Sequence, residues 1–143
     1  MRIAVRFHPS VPPPADLDPF PGAALARLLE SEWPRAEGEV HCVLTGSAEL
    51  GDLNRRFRGI DAPTDVLAFP YDPEVAGGSL GDVFVSLPHA EAQAAARKEP
   101  VGREIVRLFV HGALHLAGRD HRTPAAERAM IALQEEWVAR LAR

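Results

Sequence analysis

The 143-residue chain has a single cysteine and a single lysine. A lone thiol cannot close an intrachain disulfide. Cys42 falls inside a strand-like run, so it is expected to be a small buried hydrophobe in a cytoplasmic protein. Long apolar runs are missing too: none approaches the roughly 18 residues that cross a bilayer. The opening stretch MRIAVRFHP alternates like a strand and lacks the apolar block of a signal peptide, so no membrane association is expected. There is no repeat, low-complexity tract or linker. Nor is there an excess of cations. The formal charge of −4 argues against a general nucleic-acid binder, whose affinity comes largely from phosphate neutralisation. It leaves room for a local basic patch. With Lys98 the only lysine, the positive charge is carried by arginine, a bias that a GC-rich genome, a hot habitat or phosphate recognition would each produce.

What is present describes an ordinary globular domain. Hydrophobic residues make up 46% and charged residues 25% of the chain, enough for one core over residues 1–143. Three of the six histidines fall within His111-Gly112-Ala113-Leu114-His115-Leu116-Ala117-Gly118-Arg119-Asp120-His121. Residues four apart on a helix stand one above the other, so His111 and His115 can aim two imidazoles at one point. Gly118 is placed where a helix stops, because glycine accepts the left-handed conformation that ends one. The turn can then return His121 to the same point. Histidine pairs also occur by chance on solvated helix faces. This pair, however, sits in a run that is apolar on nearly every side (Val106, Leu108, Phe109, Val110, Ala113, Leu114, Leu116, Ala117), and imidazoles buried without partners are costly. Three neutral nitrogen ligands with a fourth position open describe a catalytic zinc site. One zinc ion per chain is expected, although imidazoles suit other divalent metals as well.

Read in order, the chain alternates strands and helices. Arg2 to Phe7 alternates as a strand, and His8 to Pro21 is proline-rich and irregular. Gly22 to Trp33 is a helix stopped by Pro34, and Glu39 to Thr45 a second strand. Ser47 is the expected N-cap of a short helix, Ala48 to Phe57, that ends in the basic cluster Arg55-Arg56-Phe57-Arg58. Asp61 to Asp65 is a turn. Val66 to Tyr71 and Leu80 to Ser86 make an antiparallel hairpin across a glycine-containing loop. Pro88 and Pro100 open two further helices, the second bearing the histidines, and Thr123-Pro124 starts the last. The expected fold is α+β, verging on α/β. A small mixed sheet of about four strands is flanked by helices, with the metal site at the end of a buried helix. His8, His41 and His89, like Cys42, are expected to stay outside that site.

The string HGALHLAGRDH resembles the H-G-x-L-H-L-x-G-x-D-H signature of the YbeY family, zinc-dependent endoribonucleases of bacterial ribosomal RNA maturation. The resemblance extends to Leu53-Asn54, Arg58-Gly59, Asp61, Pro63-Thr64-Asp65-Val66-Leu67 and Phe69-Pro70, and to Leu80-Gly81-Asp82 with Ser86. It spans about residues 50 to 137; the first forty residues carry no signature. Ala68 departs from the family's usual serine. The resemblance implies a single-strand-specific nuclease of ribosomal RNA, with ribosomal proteins or the small subunit as further partners. It implies that Arg58 binds the substrate phosphate and, with His111, is catalytic.

Zinc alone does not choose between phosphodiester and peptide chemistry. Zinc peptidases with a helical histidine pair read H-E-x-x-H, the glutamate acting as base; here that position is Gly112. Arg58 cannot be a base but can clamp a phosphate with two parallel hydrogen bonds. Asp120 can orient a ligand histidine or simply cap the turn. The competing readings are a ribosome-assembly or RNA-binding factor with a structural zinc, and a zinc hydrolase of another ester or amide.

Overall fold

The computed structural model describes residues 2–62 and 64–142; Pro63, in the predicted turn, lies outside them. Alternation at Ile3, Val5 and Phe7 drives β1 (Ile3–Pro9), which runs two residues further than its pattern predicts. The extension has a cause: Ser10 N–H still donates to the Leu44 carbonyl of the next strand, at 2.9 Å. Within the proline-rich segment a single 3-10 turn, Ala15–Leu17, buries Leu17. α1 (Gly22–Glu32) then crosses back to β2 (Gly38–Thr45), which pairs parallel with β1 from Ile3↔Gly38 to Pro9↔Leu44.

α2 (Ser47–Arg58) starts one residue earlier than expected. Ser47 is its first residue rather than its cap, and Gly46 stands in the cap position without a side-chain bond. Thr45 serves this end instead, its hydroxyl donating to the Glu49 carboxylate. β3 (Val66–Pro70) and β4 (Ser79–Ser86) form the expected antiparallel hairpin, and β4 pairs parallel with β2. The four strands therefore lie in the order β1-β2-β4-β3, a mixed sheet. α3 (Leu87–Arg97) is capped by Ser86, whose hydroxyl accepts from His89 N–H. α4 (Val101–Leu116) and α5 (Pro124–Leu141, capped by Thr123) complete the chain.

α4 is the helix that everything else encloses. It packs on β3, β4, α3, α5 and the 3-10 turn. Phe109, fully buried, meets Phe7 and Phe20 edge-on at 6.2 and 5.5 Å between ring centroids, fixing α4 over β1. Burying such a ring contributes roughly 1.5–3 kcal/mol. One feature of α4 departs from its apolar reading. Glu104 and Arg107, one turn apart, are both buried and bond each other at 2.5 Å. Arg107 also holds Glu99 and, through Nε at 2.9 Å, Glu135 of α5. That pairing, chiefly the Arg107 hydrogen bond, lowers the Glu135 carboxyl below the ordinary glutamate range. Arg107→Met would leave Glu104 buried with only Arg97, among the described residues, to answer it, at 3.3 Å. Removing one member of a buried pair costs about 3–5 kcal/mol, so urea denaturation should show a loss of that size. A change under about 1 kcal/mol would mean the network is solvated.

Candidate metal centre

The three histidines are brought together by two local features. α4 places His111 and His115 one turn apart, with ring centroids at 4.7 Å and their Nε2 atoms at 3.2 Å. Beyond Leu116, Gly118 takes φ +102 and its N–H bonds the His115 carbonyl at 3.0 Å, while Arg119 N–H bonds Leu114 O. The reversed chain is then pinned to α1 by Arg119 Nε on Glu32, at 2.5 Å. His121 consequently returns to 5.1 Å from His115 and 6.2 Å from His111, between ring centroids. One nitrogen from each ring lies within 4.8 Å of the others.

This donor set fits a zinc ion. Bonds of roughly 2.05 Å in a tetrahedron put neighbouring ligand nitrogens about 3.3 Å apart, and His111 and His115 already stand at 3.2 Å. The ring chemistry agrees. His111 Nδ1 faces Gln134 Oε1 at 2.8 Å, so the Nδ1–H donates there and the Nε2 lone pair is left for the cluster. The Gln134 amide is itself oriented, its Nε2 donating to Glu135 at 3.1 Å. Burial first, and then the charges of His111 and His121, lower the His115 pKa. That ring is therefore neutral at neutral pH. His121 is exposed and leaves one side of the cluster open to solvent.

The open side is a cleft of about 530 Å³ lined by Phe57, Arg58, Val66, Ala68, Phe69, His111, Gly112, His115 and His121. Arg58 thus shares the space with the histidines although it comes from α2. α2 sits mainly on β3, β4 and α3, and its C-terminal end overhangs β3 at the cleft. Arg58 makes no salt bridge or side-chain hydrogen bond among the described residues, whereas Arg55 and Arg56 both pair with Asp52. Asp120 Oδ1 accepts from Arg122 N–H at 3.1 Å, a turn-capping contact. It reaches the cluster only as a nearby charge that raises the His115 pKa slightly against the stronger lowering effects.

The other histidines lie elsewhere. His8 Nε2 meets His41 Nδ1 at 2.8 Å, and His89 Nδ1 meets Ser86 Oγ at 2.8 Å. Cys42 is fully buried, and burial pushes its thiol pKa up strongly. Gln134 was invisible to the histidine spacing, although a polar residue four positions after Met130 on the buried stripe of α5 is the signal that marks it. Gly112 has a packing reason: a Cβ there would stand 2.4 Å from Val83 Cγ1. Gly112→Ala should cost about 1–3 kcal/mol of overpacking, offset by roughly 1 kcal/mol of helix propensity. A melting temperature above the parent's would show that Val83 yields freely.

A mixed sheet carrying three convergent imidazoles at the end of its central helix, beside the Arg58 guanidinium, defines the class: a small α+β domain with an open three-nitrogen centre. The chain belongs to the YbeY family, whose model, described as Endoribonuclease YbeY, matches residues 19–142. The Endoribonuclease YbeY of Acholeplasma laidlawii is 43% identical over 102 residues, covering 71% of this chain and 74% of its own. That of Moorella thermoacetica is 41% identical over 131 residues, covering 82% and 84%. The solution structure of TM1509 from Thermotoga maritima superposes with a TM-score of 0.66 at 28% identity, covering 96% of this chain and 88% of that one.

Proposed function

We propose that this chain is a metal-dependent endoribonuclease that cuts single-stranded segments of ribosomal RNA during its maturation and in ribosome quality control. One zinc ion, held by His111, His115 and His121, is its cofactor, and the cytoplasm its compartment. Ribosomal proteins or the small subunit are its further partners. The observation that carries this reading is the sharing of one cleft by three imidazoles and the Arg58 guanidinium, which is unpaired among the described residues. The relatives' name, Endoribonuclease YbeY, points the same way.

When bound, zinc on three neutral imidazoles supplies a Lewis acid and nucleophilic water at neutral pH. The rest of the mechanism belongs to the chain. Gln134 holds the His111 Nδ1–H and so fixes which nitrogen faces the centre. Desolvation keeps His115 unprotonated. Arg58, with no ion pair among the described residues to give up, receives the phosphate as a two-pronged donor and stabilises charge developing on its oxygens. Gly112 keeps the floor of the cleft free of a side chain, which disfavours peptide hydrolysis by the glutamate mechanism because a glutamate there would collide with Val83.

Incubation of the purified protein with single-stranded RNA, with and without chelator, tests the proposal. Cleavage should stop with chelator and return with added zinc. Unchanged cleavage after verified metal removal would defeat it. A chelated protein that stays folded and binds RNA without cutting it separates this reading from an assembly factor with a structural zinc.

A further inference from the structure

Phe57 is left without a role by the chemistry above, and its placement is costly. The residue is 64% exposed, forgoing most of the burial that would stabilise its ring. It lines the same cleft as Arg58 and the histidines. The ring is also braced. Phe69 meets it edge-on at 5.8 Å between centroids, with an interplanar angle of 70°, and Phe69 rests in turn on Phe84 at 5.8 Å. The Arg56 guanidinium carbon stands 5.6 Å from the Phe57 centroid. An aromatic held upright in water at the mouth of a cationic cleft is poorly suited to the core and well suited to a flat partner.

We propose that Phe57 is a base-stacking platform, seating a nucleobase that flanks the phosphate engaged by Arg58. The occupant is single-stranded RNA, so the inference rests on the function proposed above and deepens it. Charge favours that occupant. The last turn of α2 carries Arg55, Arg56 and Arg58, with Arg55 and Arg56 sharing Asp52 as their ion-pair partner, on a chain whose formal charge is −4. Shape favours it too. Every base has a π-face that stacks on an aromatic ring, while in a duplex those faces are already covered by neighbouring bases. Stacking at Phe57 therefore supplies a physical reason for preferring single strands.

The test measures binding of the intact, metal-loaded protein to three fluorescent probes: a single-stranded 2′-O-methyl oligonucleotide checked for integrity afterwards, an abasic strand of equal length and charge, and a duplex. Phe57→Leu keeps bulk but loses the π-face. It should weaken binding of the base-bearing strand by roughly 5- to 100-fold, the range of base–aromatic stacking. Its affinity for the abasic strand and the duplex should not change. Phe57→Tyr should bind within about twofold of the parent. Because Phe57 is exposed, all variants should melt like the parent. Phe57→Leu binding the base-bearing strand as tightly as the parent would overturn the proposal. So would an equal loss on the abasic strand, or a Phe57→Leu change seen only in sedimentation, which would make the rim a contact between copies of the chain. If Arg58→Ala loses binding and Phe57→Leu does not, the stacking inference alone falls. If the parent binds none of the probes, the proposed function falls with it.

Discussion

His115→Ala is expected to yield a folded protein without its metal. Removing one of three nitrogen ligands should cost far more affinity than the 10–100-fold typical of losing a residue that only orients a ligand. Elemental analysis after purification without added metal should find about one zinc in the parent and close to none in the variant. The same measurement serves as a control on the remaining candidates. Cys42→Ser, His8→Ala, His41→Ala and His89→Ala should each keep one ion, because these side chains make their contacts elsewhere. A metal-free variant among those four would reveal a missed ligand, and a His115→Ala protein that retains its metal would sink the assignment. The pH dependence follows from the same nitrogen. Burial and the neighbouring imidazoles lower the His115 pKa, so protons compete for it only below the ordinary histidine range. Occupancy should hold through neutral pH and fall only once the pH is low enough to protonate His115, below the ordinary histidine range.

Arg58→Ala should lower RNA cleavage by about 10²–10³-fold, the usual loss on removing a group that stabilises transition-state charge. Metal content and melting temperature should stay near the parent's, since Arg58 is exposed and makes no ion pair among the described residues. Arg58→Lys separates charge from shape. An ammonium keeps the attraction for phosphate but not the planar fork, so this variant should bind RNA nearly as well as the parent and cleave it poorly. Single-turnover cleavage beside equilibrium binding would resolve the two. Parent-like cleavage by Arg58→Lys would reduce Arg58 to a source of charge, and parent-like cleavage by Arg58→Ala would return it to the solvated helix end that Arg55 and Arg56 already represent.

Much of this protein is local. The spacing of His111 and His115 is set by helical geometry, and Gly118 with its positive φ turns the chain toward His121, so three nitrogens converge largely within eleven residues, with Arg119 on Glu32 of α1 as the distant contact that pins the turn. Strand alternation, the proline-led helix starts and the β3–β4 hairpin are local in the same sense, and the sequence alone determined them. The misjudged helix start at α2 is also instructive: Ser47 has the chemistry of a cap, but Thr45 is the residue whose hydroxyl reaches Glu49.

What only the tertiary structure decided involves residues far apart in the chain. Glu104 and Arg107 read as ordinary helix charges until Glu135 of α5 and Glu99 are brought against them and all but the rim of that network is buried. Gln134 gains its bond to His111 only because α5 docks on α4. Arg58 and Phe57 reach the histidine-lined cleft because β3 forms the edge of the sheet and α2 overhangs it, rather than lying along α4. The physical reason is range. Backbone geometry propagates over a few residues and can be read from spacing, whereas a cleft assembled from α2, β3 and α4 exists only once long loops have closed and the sheet has put its strands in order.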